Sequence, residues 1–158
     1  MLLFTGHSEH SIDAKGRLAV PAKYRGRLDE QRDGKGWYSV PYPGGVIRLY
    51  TQARFEALSD ITPQKLTPDQ DEAELEAELF GSAELLEMDV EGRVVLPKMH
   101  LDSAGLTSRE VVIVGARNRL EIRDRAAWLA GRGERFARLP ELVARIEAKR
   151  NAGRGTTA

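Results

Sequence analysis

The feature that most constrains this chain is a repeat within itself. Residues 11–21 read Ser-Ile-Asp-Ala-Lys-Gly-Arg-Leu-Ala-Val-Pro and residues 87–97 read Glu-Met-Asp-Val-Glu-Gly-Arg-Val-Val-Leu-Pro. At a constant offset of 76, Asp13 meets Asp89, Gly16 meets Gly92, Arg17 meets Arg93 and Pro21 meets Pro97. A weaker echo follows at an offset of 73, where Ile47-Arg48-Leu49-Tyr50-Thr51 with Phe55 matches Leu120-Glu121-Ile122-Arg123-Asp124 with Trp128. Self-similarity at a fixed period marks a duplicated structural unit, so whatever one half folds into, the other must also accommodate.

Each unit has the same local logic. A short strand enters, Asp-x-x-Gly turns the chain, and an apolar strand leaves over 18–20 or 94–96. Glycine supplies the positive φ of a tight turn and the aspartate accepts backbone N–H groups within it. Proline cannot continue a central strand but suits a first helical turn, so short helices are expected over 22–28 and 98–104, the second stopped by Gly105. Strand pairs are predicted over 37–40 with 46–50 and over 110–114 with 120–123, each around a Gly-containing turn. Thr51 and Asp124 are placed to cap helices over 52–58 and from 125 onward. The segment 67–71 opens like a helix start, with Leu75, Leu79 and Phe80 on one face. After Trp128 the apolar positions Phe136, Leu139, Leu142, Val143 and Ile146 indicate further helix, interrupted near Gly131-Arg132-Gly133 and at Pro140, with a frayed end from Asn151.

Four short strands per half are too few to bury a core alone. The expected fold is therefore α+β, with two tandem repeats interleaved into one pseudo-twofold, β-barrel-like core, short helices and a C-terminal helical region. The expected division is a first repeat over 1–60, an acidic helical linker over 61–81, a second repeat over 82–130 and a helical extension over 131–158.

Charge and composition narrow the function. The 158 residues carry 24 Lys and Arg against 24 Asp and Glu, a balance that by itself argues against a nucleic-acid partner. The distribution argues otherwise: residues 1–60 are net +2, 61–90 net −8 and 91–158 net +6. The acidic run over 69–78 fits a solvated helix face, which leaves the basic ends free for a ligand. There is no cysteine, hence no disulfide framework, thiolate metal site or cysteine nucleophile. No N-terminal leader pattern is present and the longest apolar run, 111–114, is too short for a membrane span, so a cytoplasmic protein without membrane association is expected.

The Asp-x-x-Gly-Arg hairpins are the sharpest chemical feature. A hairpin tip holds a guanidinium beyond the core, the aspartate limits its conformers, and the fork matches guanine O6/N7 or a phosphate. The bland alternative is a surface ion pair that only staples the turn; its recurrence in both halves weakens that reading. Lys23, Arg25 and Arg27 follow the first loop and are candidates for phosphate contact. His7, His10 and Asp13 lie three apart, a spacing for metal ligands on a helix, but the segment reads as strand and turn, so no metal is expected. His100 has no evident ligand partner. Gly34-Lys35-Gly36 reads as a loop rather than a phosphate cradle. No nucleophile elbow, phosphate-binding loop or dinucleotide fingerprint occurs, and the carboxylates over 69–78 crowd an exposed helix rather than a pocket. No catalytic residue and no cofactor are expected.

Phe4-Thr5-Gly6, residues 10–25 (His-Ser-Ile-Asp-Ala-Lys-Gly-Arg-Leu-Ala-Val-Pro-Ala-Lys-Tyr-Arg) and Asp89-Val90-Glu91-Gly92-Arg93 through Ala104-Gly105-Leu106 resemble MraZ proteins, over a stretch from Phe4 to about Trp128. The resemblance implies a swapped-hairpin, AbrB-like fold and a transcriptional regulator of the bacterial division and cell-wall gene cluster. It also implies a ring-shaped homo-oligomer, expected to be an octamer, on G-rich direct repeats of double-stranded DNA upstream of its own operon, in the cytoplasm at the nucleoid. Carried over by position, DNA-contacting residues fall on Asp13, Lys15, Arg17, Asp89 and Arg93, to which the basic spacing adds Lys23 and Arg25. Lys15 is matched by Glu91 and Lys23 by Met99, so the first loop is expected to dominate affinity. The alternative is a swapped-hairpin module that binds protein rather than DNA.

Overall fold

The computed structural model describes residues 2–60 and 63–155, and their element order carries the duplication. The first half forms β1 (His7–Ser11), β2 (Arg17–Ala19), α1 (Ala22–Arg25), α2 (Glu30–Asp33), β3 (Gly36–Tyr42), β4 (Val46–Thr51) and α3 (Gln52–Ser59). Next comes α4 (Gln70–Ser82), and the second half repeats the pattern as β5 (Glu84–Glu87), β6 (Arg93–Val95), α5 (Lys98–Ala104), β7 (Glu110–Gly115), β8 (Leu120–Asp124) and α6 (Arg125–Ala130). Helices α7 (Arg132–Ala137) and α8 (Leu139–Arg154) follow.

The local signals act largely where the sequence puts them. Thr51 caps α3 by accepting the Arg54 N–H at 3.3 Å, Asp69 caps α4 from Glu72 at 2.8 Å, and Gly105 ends α5 in the left-handed region. Helix α2 lies in a stretch with no apolar period; Asp29 starts it by accepting from Gln31 and Arg32, and buried Asp33 closes it by accepting the Asp29 N–H. Strand β3 runs through Pro41 because its second neighbour, β5, pairs only with Gly36–Ser39, leaving the proline nitrogen no ladder partner to deprive. The interruption expected at Pro140 is present: α7 ends at Ala137 and α8 restarts at Leu139, which puts Pro140 in the first turn of the new helix, where a missing N–H costs nothing. Helix α8 continues to Arg154, beyond the point at which the sequence predicts fraying; residues 156–158 of that tail, and 61–62 of the linker, lie outside the described residues.

All strand pairs are antiparallel. Six strands form one sheet in the order β1-β7-β8-β4-β3-β5, and β2 and β6 form a separate two-stranded ribbon. Each half thus lends its first strand to the other: β1 pairs with β7, and β5 with β3. Exchanging every strand for its counterpart in the other half reverses the sheet order onto itself, which is a pseudo-twofold. The registers locate the axis. In the ribbon Leu18 faces Val94, residues 76 apart (94 − 18), and in the sheet Arg48 faces Glu121, residues 73 apart (121 − 48). The axis runs through the two places where a repeat position meets itself.

The expectation of a barrel-like core needs correction. Strands β1 and β5 are free sheet edges, and the sheet is not closed. The chain leaves each edge strand directly into an Asp-x-x-Gly turn and spends its next strand on the β2–β6 ribbon, so among the described residues no strand bridges the edges. Between sheet and ribbon lies the core of Phe4, Leu18, Trp37, Ile47, Leu49, Val94, Ile113, Leu120 and Ile122, all at most 1% exposed. Two symmetry-related helices close over it. Tyr24 of α1 donates its hydroxyl to the Thr5 carbonyl at 2.8 Å. His100, its counterpart on α5, lies 2.7 Å through Nδ1 from the Ser39 hydroxyl, both side chains fully buried. That serine is the partner sequence reasoning could not see.

Residues 1–125 and 126–158 are two compact units. In the second, the Arg135 guanidinium lies over the Trp128 ring at 4.6 Å and Arg132 over it at 5.2 Å, while Phe136, Leu139, Val143 and Ile146 are about half exposed or more. No helix among the described residues is long and apolar enough to cross a membrane.

Candidate nucleic-acid interface

The two hairpin loops are built alike, atom by atom. At the first, Asp13 Oδ1 accepts the backbone N–H groups of Lys15 and Arg17, each at 2.9 Å, and Oδ2 accepts Arg17 Nε at 2.5 Å. At the second, Asp89 Oδ1 accepts from Glu91 and Arg93 at 2.9 Å, and Oδ2 accepts Arg93 Nε at 2.8 Å. Gly16 and Gly92 turn the chain at φ of 81° and 78°, where a side chain would be strained. The aspartate therefore replaces the partners that the turn denies the backbone. Backbone donation, from Arg17 or Arg93 first, holds both carboxyls below the usual aspartate range; partial burial opposes it and the arginine side chains add to it. Both ion pairs are about a third exposed, so the backbone bonds rather than the charges carry most of the ordering.

The loops differ in what their arginines have left to give. Arg17 spends only Nε, and among the described residues its two terminal nitrogens have no hydrogen-bond partner. Arg93 spends Nε on Asp89 and a terminal nitrogen on Glu91 Oε2 at 3.0 Å. Lys15, at the tip of the first loop, is exposed and without an ion-pair partner among the described residues. The unequal loops expected from the Lys15/Glu91 difference thus have a geometric counterpart.

Of the other sequence candidates, Arg25 does not join the first loop. It lies against the second: a Cβ built on Gly92 would fall 2.4 Å from Arg25 Nε, and that Nε donates to the Val20 carbonyl at 2.8 Å. Lys23 belongs to neither loop. Its ammonium lies over the Tyr24 ring at 4.8 Å and next to Gly6, at the end of β1 away from the first hairpin. Beside the first loop the structure places residues the sequence did not single out. A groove of about 610 Å³ is lined there by Asp13, Lys15, Lys98, Leu101, Ser108 and Arg109. Lys98 and Arg109 come from the other half, so no spacing in the sequence ties them to Lys15.

The metal reading of His7, His10 and Asp13 meets strand geometry. In β1 the two histidines fall on opposite faces, and His10 Nε2 is engaged with the Ser8 hydroxyl at 2.7 Å. Burial, then Arg125 and Lys23, push the His10 imidazole below its ordinary pKa.

The fold is that of a duplicated α+β chain which sets two aspartate-ordered arginine hairpins side by side on a shared ribbon. Comparison with known proteins places it among relatives. The model for MraZ proteins, an antitoxin-like family, matches residues 3–35 and 79–134. A transcriptional regulator MraZ of Thioalkalivibrio sulfidiphilus is 34% identical over 134 residues, 85% of this chain and 88% of the relative. Namesakes in Pelodictyon phaeoclathratiforme, at 34% over 86% of this chain and 95% of the relative, and Chlorobium luteolum, at 33% over 82% and 85%, agree. The chain belongs to the MraZ family, whose matched relatives are named as regulators and not as enzymes.

Proposed function

We propose that this chain is a transcriptional regulator that binds double-stranded DNA at short, closely spaced G-rich direct repeats upstream of its own operon, within the division and cell-wall gene cluster. Its fold is read as two AbrB-like swapped-hairpin repeats over 1–60 and 82–130, joined by the helical linker 61–81 and followed by the extension 131–158. Asp13, Lys15, Arg17, Asp89, Arg93 and Arg25 form the DNA-facing set, and Lys23 is a peripheral phosphate contact. The protein acts in the cytoplasm at the nucleoid, with no cofactor.

The observation that carries this reading is Arg17. Its direction is set through Nε by an ordered Asp13, while both terminal nitrogens remain for a bidentate partner, the geometry that reads guanine O6 and N7. Lys15 stands beside it with no internal partner. One such loop binds weakly, and the chain has no net charge to help it. A ring-shaped homo-oligomer, an octamer in this proposal, engages adjacent repeats at high effective concentration and removes that objection.

The test is a footprint on the DNA upstream of the protein's own gene, repeated across salt concentrations with wild type, Arg17→Ala and Arg93→Ala. Expected are protected repeats, steep loss of protection with salt, and a greater loss for Arg17→Ala than for Arg93→Ala. Arg17→Ala binding like wild type, in an oligomer shown intact by light scattering, refutes the site. A stable monomer binding one isolated repeat with high affinity refutes the multivalent mechanism. Capture of a protein partner without retention of the DNA favours the protein-binding alternative.

A further inference from the structure

We infer that Arg25 is the working cation of the second loop, and that Arg25 and Arg93 together form a DNA-phosphate site assembled from both halves of the chain. The inference rests on the reading of the hairpins as DNA-facing. The second loop has a charge problem under that reading. The first loop carries Lys15 and Arg17 against Asp13, a net +1, whereas the second carries Arg93 against Asp89 and Glu91, a net −1. A net-negative tip is repelled by a phosphate backbone, whose attraction for cations supplies the sequence-independent part of binding. Arg93 alone does not offset this, since the two carboxylates hold its Nε and one terminal nitrogen and leave it a single open edge.

The fold supplies the missing charge from the other half. The two halves are cross-braced next to each loop: the Val20 N–H donates to the Gly92 carbonyl at 3.0 Å, and its counterpart, the Leu96 N–H, donates to the Gly16 carbonyl at 2.8 Å. This brings α1 under the second loop and α5 under the first. Arg25 therefore lies over Gly92, close enough that a Cβ there would fall 2.6 Å from its guanidinium carbon. Nε is anchored on the Val20 carbonyl at 2.8 Å, and among the described residues the terminal nitrogens have no hydrogen-bond partner. A guanidinium fixed through Nε and open at both ends is suited to a bidentate phosphate contact.

The symmetry-related position sharpens the contrast between the loops. Counting 76 residues on from Arg25 gives Leu101, which lines the groove at Gly16 and Lys15. The first loop thus has its cation on its own tip and a leucine beneath it; the second has an acid on its tip and an arginine beneath it. Both loops end with one uncommitted cation besides the Asp-bound arginine, placed differently in each.

The test is fluorescence anisotropy of the full chain on a labelled duplex from the DNA upstream of its own gene, titrated over a range of salt. Arg25→Leu, which installs the residue of the symmetric position, is expected to weaken binding about tenfold and to flatten the salt dependence by about 0.9 in log–log slope for each loop engaged. Combined with Arg93→Ala it adds little further loss, while combined with Arg17→Ala the losses multiply. Glu91→Lys, which moves the cation onto the tip as in the first loop, restores affinity and slope in the Arg25→Leu background, an outcome that a purely structural role would not produce. Should Arg25→Leu fail to fold by circular dichroism, Arg25→Gln serves in the same design. Wild-type binding with an Arg25 variant of unchanged affinity and slope, coupling of Arg25 to Arg17 in place of Arg93, or no rescue by Glu91→Lys overturns this inference alone. Absence of wild-type binding at low salt overturns the DNA reading, and this inference with it.

Discussion

Glu121→Gln should destabilise the 1–125 unit by about 2 kcal/mol. The carboxylate sits where the pseudo-twofold axis crosses the sheet and is 5% exposed. It accepts Arg119 Nε at 2.9 Å and Arg123 Nε and Nη2 at 3.1 and 2.7 Å, with Arg48 Nε 3.6 Å away as a charge contact rather than a hydrogen bond. Removing one member of a fully buried ion pair costs about 3–5 kcal/mol. Here the three guanidinium groups keep 29–36% of their surface, so water recovers part of the loss, and glutamine retains one acceptor oxygen; about 2 kcal/mol remains. With a urea m-value of about 2 kcal/mol/M, the midpoint should fall by about 1 M at constant m. Arg48→Leu, which removes no hydrogen bond to Glu121 but loses the stacking of Arg48 on Tyr42 at 4.6 Å, should cost about half as much. An unchanged midpoint for Glu121→Gln, or a larger cost for Arg48→Leu, would refute the view that the carboxylate network holds the axis together. Acid titration gives an independent check. Burial pushes the Glu121 carboxyl up, but the hydrogen bonds and charges of Arg123 and then Arg119 outweigh it and bring it below the ordinary glutamate value. Its contribution is therefore complete above that ordinary value and disappears as the pH falls through the lowered one.

Other consequences are as direct. Asp13 and Asp89 are likewise held below the usual aspartate range by backbone donation, so amide protection at Lys15, Arg17, Glu91 and Arg93 should persist at pH values where free aspartate is largely protonated, and be lost as the pH falls further; loss at the ordinary aspartate value would show the turns are not ordered this way. Gly92→Ala should cost more than about 1 kcal/mol, because φ is +78° and the new methyl meets the Arg25 side chain, whereas Gly44→Ala, at a positive φ with open space around it, should cost less in the same urea titration. Ser39→Ala should destabilise by about 1–3 kcal/mol by orphaning the buried His100 Nδ1, and a thermal melt unchanged from wild type would show that the serine–histidine bond contributes nothing.

Much of this molecule is written locally. The repeat at offset 76 determined that two equal units exist, and Asp-x-x-Gly, the following proline, Thr51 and Gly105 determined where strands turn and helices start or stop. Each of these signals is a hydrogen bond or dihedral preference spanning a few residues, which the chain satisfies wherever it goes. Lys15 against Glu91 marks the two loops as chemically different in the sequence itself. What the sequence left undetermined is which half pairs with which, because the duplication puts a strand in the same place in each half: β3 holds in the first the position that β7 holds in the second. Only packing into one shared core sent β1 and β5 to the opposite halves, put the axis through Leu18/Val94 and Arg48/Glu121, and left two sheet edges open where a closed barrel was expected. The same crossing moved Arg25 from the loop it follows in sequence to the loop it faces in space, brought Lys98 and Arg109 to Lys15, and turned Lys23 away from both. Charges are attached to the chain by sequence, but their neighbours are decided by which core buries the apolar side chains.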